Sequence, residues 1–372
     1  MRISRLYLAT LLGSLASRAT GVLAIAALVI AAAACGGGEA EQPPVSGSPA
    51  GSVPALVGEV PGDLAAVIDR TVIVHTTAGQ RREVARMPAS GPVYPAHPAW
   101  SPDGVTIAYV QRTFSTGQPN ADWGDDIYLV PAAGGAPRLL RKHIAPGDQV
   151  QGLAWTPDGS ALLFGHVVTL FKDGQVWGLE AAITRLELAS GREQPIAEGG
   201  FMPSLSRDGK RLAYLRLRDL YSELVVANGD GSTPRVLIPA NAFAAIMFPR
   251  IAPDGAAIVF AAANPRSQSR EFRGGSLLDR ALAWLRPASV YAESAHAAGA
   301  HGIPMDIWRI DLPSGQPKAI ALLAEDEPMP VWSADGKSLV VFATAGLYRM
   351  SADGSNVLRL GDGVFGGQID LR

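Results

Sequence analysis

One short stretch, "NADWGDD" at residues 120–126, crowds oxygen-bearing side chains together: Asn120, Asp122, Asp125 and Asp126 stand around Trp123. Clustered oxygens are what a hard cation such as Ca²⁺ takes as ligands. The spacing is not that of an EF-hand loop, and a solvated acidic loop accounts for the same residues. Asp122, Trp123 and Asp125 are therefore candidate binding residues, with no metal and no cofactor assigned. The six histidines, at 75, 97, 143, 166, 296 and 301, show no metal-motif spacing. The chain contains no Ser/His/Asp arrangement, phosphate loop or zinc pattern, so no catalytic residue is assigned.

A second group lies at 276–286, "SLLDRALAWLR". Its periodicity predicts a short amphipathic helix: Leu278, Leu282 and Leu285 fall on one face, with Trp284 beside them. Ser276 and Asp279 are spaced as a capping box, and Pro287 ends the run. From 264 to 304, arginines 266, 270, 273, 280 and 286 outnumber Glu271, Asp279 and Glu293. These residues suit a docking element for a partner or an anionic membrane surface. They suit equally a helix packed on its own fold, the commoner fate of an amphipathic helix.

The elements that must position these groups are written as a repeat. "PAWSPDG" (98–104) returns as "LAWTPDG" (153–159), "PSLSRDG" (203–209), "PRIAPDG" (249–255) and "PVWSADG" (330–336). Proline presets the second position of a tight turn, Asp suits the third, and Gly takes the left-handed position that follows. Large apolar residues stand four before each glycine and five after it, so each phrase is a strand, a turn and a strand. Downstream of each comes a second hairpin, as in "DIYLVPAAGGAPRLL" (126–140) and "DIWRIDLPSGQPKAI" (306–320). The unit is a four-stranded antiparallel meander.

"TVIVHTTAGQRREVA" (71–85) is a sixth copy of the second hairpin, preceded by the single strand "DLAAVID" (63–69). Its missing innermost strand is supplied by "GGQIDLR" (366–372). The expectation is an all-β, six-bladed β-propeller of four-stranded antiparallel blades, with the C-terminal strand closing the first blade. The phrases resemble the WD40-like PD40 repeats of TolB-type six-bladed propellers, over roughly residues 62–372. Such repeats occur in periplasmic TolB proteins, in the propellers of prolyl-oligopeptidase-type peptidases and in envelope proteins. The chain departs from TolB proper in lacking its N-terminal α/β domain, and from the peptidases in lacking a G-x-S-x-G elbow.

In such a meander the first-to-second and third-to-fourth turns share one face. The second-to-third loops and the blade links share the other. The long connections, 111–125, 167–180 and 264–304, fall on the second face, which is therefore the expected binding face. The turn glycines at 104, 159, 209, 255 and 336 lie 55, 50, 46 and then 81 residues apart, which marks 264–304 as an insertion.

Residues 1–34 read as an address. Arg2, Arg5 and Arg18 precede the apolar run 21–34, which is shorter than the ~20 residues of a membrane span. "AAAC" followed by Gly36 resembles a bacterial lipobox, a resemblance that implies cleavage before Cys35 and a diacylglycerol thioether on its thiol. Cys35 is the only cysteine, so no internal disulfide forms. Residues 35–61, rich in Gly, Pro, Ser and Glu, read as a flexible tether. The whole chain carries a net charge of −2. Without 1–34 it has 29 basic against 34 acidic side chains, which argues against a nucleic-acid partner.

Together these features lead to a lipid-anchored, monomeric envelope propeller that binds a protein or glycan on its loop face without catalysis. The alternative is a propeller hydrolase or lyase with its site at the central channel mouth.

Overall fold

The computed structural model of the chain describes residues 59–116, 122–172, 175–218, 221–263, 304–313, 315–343, 346–362 and 368–372. Its recurring event is the turn at Ser101-Pro102-Asp103-Gly104. The Gly104 N–H donates to the Ser101 carbonyl at 2.9 Å. Asp103 Oδ1 accepts from the Ser101 hydroxyl and from the Val105 N–H. Gly104, Gly159, Gly209, Gly255 and Gly336 all adopt φ between +68° and +72°. A side chain is disfavoured there, which is why the phrase ends on glycine five times.

Each turn joins the first two strands of a blade. Among the described residues 24 strands form six four-stranded blades, the second and third joined into one eight-stranded sheet by the parallel pair Gly124↔Asp148. Blade 1 holds β1 (Leu64–Ile68), β2 (Thr71–His75) and β3 (Arg81–Arg86). Blade 2 holds β4 (Val93–Trp100), β5 (Thr106–Thr113), β6 (Gly124–Pro131) and β7 (Arg138–Arg141). Blade 3 holds β8 (Asp148–Trp155), β9 (Ala161–Lys172), β10 (Gln175–Glu187) and β11 (Glu193–Glu198). Blade 4 holds β12 (Gly200–Leu205), β13 (Arg211–Arg218), β14 (Tyr221–Asn228) and β15 (Arg235–Ile238). Blade 5 holds β16 (Ala245–Ile251), β17 (Ala257–Ala263), β18 (Pro304–Asp311) and β19 (Lys318–Asp326). Blade 6 holds β20 (Met329–Trp332), β21 (Ser338–Ala343), β22 (Gly346–Ser351) and β23 (Leu358–Asp362). The last strand, β24 (Ile369–Leu371), returns to blade 1.

That return closes the ring. β24 pairs antiparallel with β1 in the register Leu64↔Leu371, Ala65↔Asp370 and Ala66↔Ile369. The first strands β24, β4, β8, β12, β16 and β20 each touch the next, and β20 comes back to β24.

Buried apolar side chains among the described residues fall into six clusters, one at each seam between neighbouring blades. β1 shows why both faces of a strand are apolar: Ala65 and Val67 pack on blade 2, while Ala66 packs on blade 6. β17 is buried at every position for the same reason.

Two expectations about extent change. Residues 167–172 and 175–180 are strand and not loop: β9 and β10 continue through them, with pairs from Ala181↔Val167 out to Gln175↔Lys172. The β-branched and aromatic run "HVVTLF" carries strand pairing past the other blades' length. The folded unit also begins before residue 62, because Val60 is 5% exposed and packs with Leu64 and Ile369 at the seam of blades 6 and 1.

Candidate functional site

The first strands converge on a cavity of about 470 Å³ at the axis, lined from all six blades. It opens among the Ser/Thr-Pro-Asp-Gly turns, on the face opposite the long loops. Its position follows from the repeat. The residue five before each turn glycine is Ala99, Ala154, Ser204, Arg250 or Val331, and Asp370 holds the equivalent register in β24. All six line the cavity. Four are small or apolar, and two, Arg250 and Asp370, are charged.

A bulge prepares this ring. His97, Gly152, Met202 and Phe248, each seven before its glycine, take left-handed φ of +47°, +84°, +52° and +52°. Pairing slips at the same place in β4, β8, β12 and β16. Beyond the slip the strand resumes in a shifted phase, and the residues that follow form the cavity wall.

The ring positions also lace the blades together. Asp370 Oδ2 accepts the Trp100 N–H at 2.8 Å, and Ser204 Oγ accepts the Ile251 N–H at 3.0 Å; each bond crosses to the next blade. In the other direction Trp155 Nε1 donates to the Ala99 carbonyl at 3.1 Å, and Trp332 Nε1 donates to the Arg250 carbonyl at 3.0 Å. Below the ring, the His97 N–H donates to Gln368 Oε1.

The electrostatics are lopsided. Arg207, Arg250 and Arg372 line the cavity, against Asp370 as the one acid among the described lining residues. Arg207 stands where three of the other four turns have proline, and its Nη1 reaches the carbonyl of Ala334, the equivalent residue of blade 6, at 3.3 Å. The Arg372 guanidinium lies 6.0 Å from the centre of the Trp100 ring. Arg250 Nε is buried and has no hydrogen-bond partner. Burial pulls the Arg250 pKa down, and the charge of Asp370 opposes this only in part. Burial likewise pushes the Asp370 carboxyl up, against the pull of Arg250 and the Trp100 N–H. His97 sits behind the wall. Burial, then the charges of Arg112 and Arg250, hold it well below the usual imidazole range, so it is neutral at pH 7.

The acidic stretch lies at the other face. Trp123 is partly buried there, and its carbonyl accepts the Gly147 N–H at 3.0 Å. Asp125 belongs to β6, its side chain is 1% exposed, and Arg112 Nη2 holds it at 2.7 Å. It also accepts the Val150 N–H of blade 3 at 2.9 Å. Its oxygens are thereby committed to a strut between blades 2 and 3. Asp122 is 64% exposed and lies 2.6 Å from His143 Nε2 and 3.3 Å from Lys142 Nζ. His143 Nδ1 lies 2.7 Å from Asp126. The cluster's carboxylates are thus answered by side-chain cations. Among the described residues no group of three or more His, Cys, Asp or Glu is arranged to hold a metal ion. A further buried charge, Arg141, pairs with Asp148 at 2.8 Å and Glu193 at 2.9 Å in the same seam.

Cys35, Leu278, Leu282, Trp284 and Leu285 lie outside the described residues. No helix among the described residues is long and apolar enough to cross a membrane. The sequence reading did not single out Arg207, Arg250, Asp370 or Arg372. Its own repeat held the signal, since tabulating the position five before each glycine isolates Arg250 as the charged exception.

No protein-family model matches the chain, and no curated protein matches it by sequence. Among solved structures it is similar to TolB from Acinetobacter baumannii, with a TM-score of 0.56 and 17% identity over 85% of this chain and 67% of that one. It is also similar to a chain in a nidogen/laminin complex, with a TM-score of 0.50 and 11% identity over 83% of this chain and 97% of that one. At such identities the likeness concerns fold, and the fold is that of a β-propeller.

Proposed function

We propose that the chain is a lipid-anchored propeller of the bacterial cell envelope that binds a protein or glycan partner and does not transform it. The observation that carries this reading is the axial cavity of about 470 Å³, walled by all six blades and richer in cations than in acids. Concave sites of this size with a few convergent polar groups are the usual places for recognition. The cavity favours the turn face over the loop face for the partner. Hydrolysis or glycan cleavage by paired acids would need a second carboxylate beside Asp370, and the described lining offers arginines instead.

The anchor rests on the lipobox-like "AAAC" ending at Cys35. Changing Cys35→Ala should move the protein from the membrane fraction to the soluble fraction of lysed cells; retention on the membrane refutes the anchor. For the binding face, a photoreactive residue replacing the exposed Ala334 at the cavity rim should crosslink a partner in intact envelopes, whereas one replacing Phe171 on the long hairpin should not. Equal crosslinking from both positions, or none from position 334, refutes the face.

A further inference from the structure

We propose that the axial cavity is a site for an organic monocarboxylate, with Arg250 as the group that receives the carboxylate and the tryptophan-lined wall as the seat for an apolar body. This rests on the reading of the turn face as the binding face and names the ligand chemistry for it.

Three features converge on that class. The first is the charge balance: Arg207, Arg250 and Arg372 line the cavity against Asp370 alone. A lining with two guanidiniums in excess, in a chain whose overall charge is −2, draws an anion. The second is the unmet hydrogen bonding. Arg250 lines the cavity half-buried, and among the described residues its guanidinium makes no hydrogen bond and no ion pair, so a bound acceptor supplies what the wall does not. Asp370 answers Arg250 through space, but its Oδ2 is already committed to the Trp100 N–H across the blade seam. A guanidinium presents a planar fork, which matches the two oxygens of a carboxylate.

The third is the wall. Trp100, Trp155, Trp332, Leu153, Ile251 and Val331 surround the charged pair. An inorganic anion makes no use of such a surface, whereas an acid with an aromatic or aliphatic body does. Asp370 also selects against a dianion: a second negative charge on the ligand would face a carboxylate in a poorly solvated cavity. The free end of a peptide chain and a small aromatic acid share this chemistry.

The test uses the full chain in detergent, with tryptophan fluorescence as the readout because three tryptophans line the site. The probes are N-acetylphenylalanine for a peptide end, benzoate for a small acid, N-acetylphenylalanine amide and inorganic phosphate. One or both acids should saturate the signal. The amide and phosphate should bind at least ~10-fold more weakly, the loss expected when one charge-assisted pair is removed. Arg250→Gln should weaken acid binding by ~10-fold or more, and Arg250→Lys by less, since it keeps the charge and loses the fork. A melting curve checks that each variant folds. If Arg250→Gln does not fold, Arg207→Gln at the exposed rim should weaken the acid severalfold, in a manner that added salt erases.

Equal binding of acid and amide, undiminished binding by Arg250→Gln, or no saturation below about 10 mM acid overturns the proposal. Crosslinking of a partner from the turn face without any preference for the acids also overturns it, while leaving the binding face in place. Acid-selective binding without a crosslinked partner supports it and refutes the partner.

Discussion

Removing residues 368–372 is the perturbation that tests the ring most directly. Ile369 is 1% exposed and packs against Leu64, Ala66 and Ile73 of blade 1 and Val331, Phe342 and Leu360 of blade 6. Losing an aliphatic side chain of that burial costs about 3 kcal/mol. The segment also makes at least five hydrogen bonds. Asp63 and Arg372 exchange two backbone bonds of 3.0 Å, and the Val67 N–H donates to the Gln368 carbonyl. Asp370 holds the Trp100 N–H, and Gln368 the His97 N–H. At about 1 kcal/mol each these add ~5 kcal/mol, for a total near ~8 kcal/mol. That is most of the ~5–15 kcal/mol by which domains are stable. Thermal melts followed by circular dichroism should therefore show the truncated protein unfolded or melting ~16 °C lower. The gentler Ile369→Ala should lower Tm by about 6 °C, at ~2 °C per kcal/mol for a large domain. Leu322→Ala, at a site 79% exposed, serves as the control and should shift little. A truncated protein that melts with the intact one, or an Ile369→Ala shift no larger than the control's, refutes closure by β24.

Two further outcomes follow from the loop face. Asp125→Ala strands the Arg112 guanidinium and the Val150 N–H in the seam of blades 2 and 3. It should cost about 3–5 kcal/mol in urea melts, and the paired change Arg112→Met with Asp125→Leu should recover much of that loss. His143 sits between Asp122 and Asp126. Burial lowers its pKa, but the hydrogen bonds and charges of those two carboxylates outweigh burial and leave it raised. A raised histidine contributes stability that is fully present below its unfolded pKa of about 6.5 and is lost as pH rises through the folded value. Melting temperatures of wild type and His143→Gln should thus diverge at pH 5–6 and converge at alkaline pH; a gap that does not change with pH refutes the clasp.

The repeat made the architecture legible because its turn chemistry is local. Ser101, Asp103 and Gly104 settle their bond pattern within the turn, three more phrases do the same, and the phrase at Ala252 keeps all but the hydroxyl's bonds. The blade count and the role of residues 366–372 followed from completing the pattern. What lay beyond local reach was the identity of contacts across seams. Asp125 looks like a loop acid in sequence, because its neighbour Arg112 is on another strand and Val150 on another blade. The cavity was harder still, since its wall draws on six segments far apart in sequence and only the ring places Arg250 near Asp370. The left-handed bulge at His97, Met202 and Phe248 is invisible for a different reason: methionine and phenylalanine carry no preference for it, and tertiary packing imposes it.

The lacing of β24 into blade 1 also sets an order of events during synthesis. Residues 64–86 leave the ribosome early, yet their sheet lacks its innermost strand until the last few residues arrive. Five blades can form in passing, but blade 1 waits for residues 368–372. Asp370, Leu371 and Arg372 complete the cavity wall as well as the sheet. A product stopped short of residue 368 therefore has neither a closed ring nor a finished cavity, and the same few residues decide both.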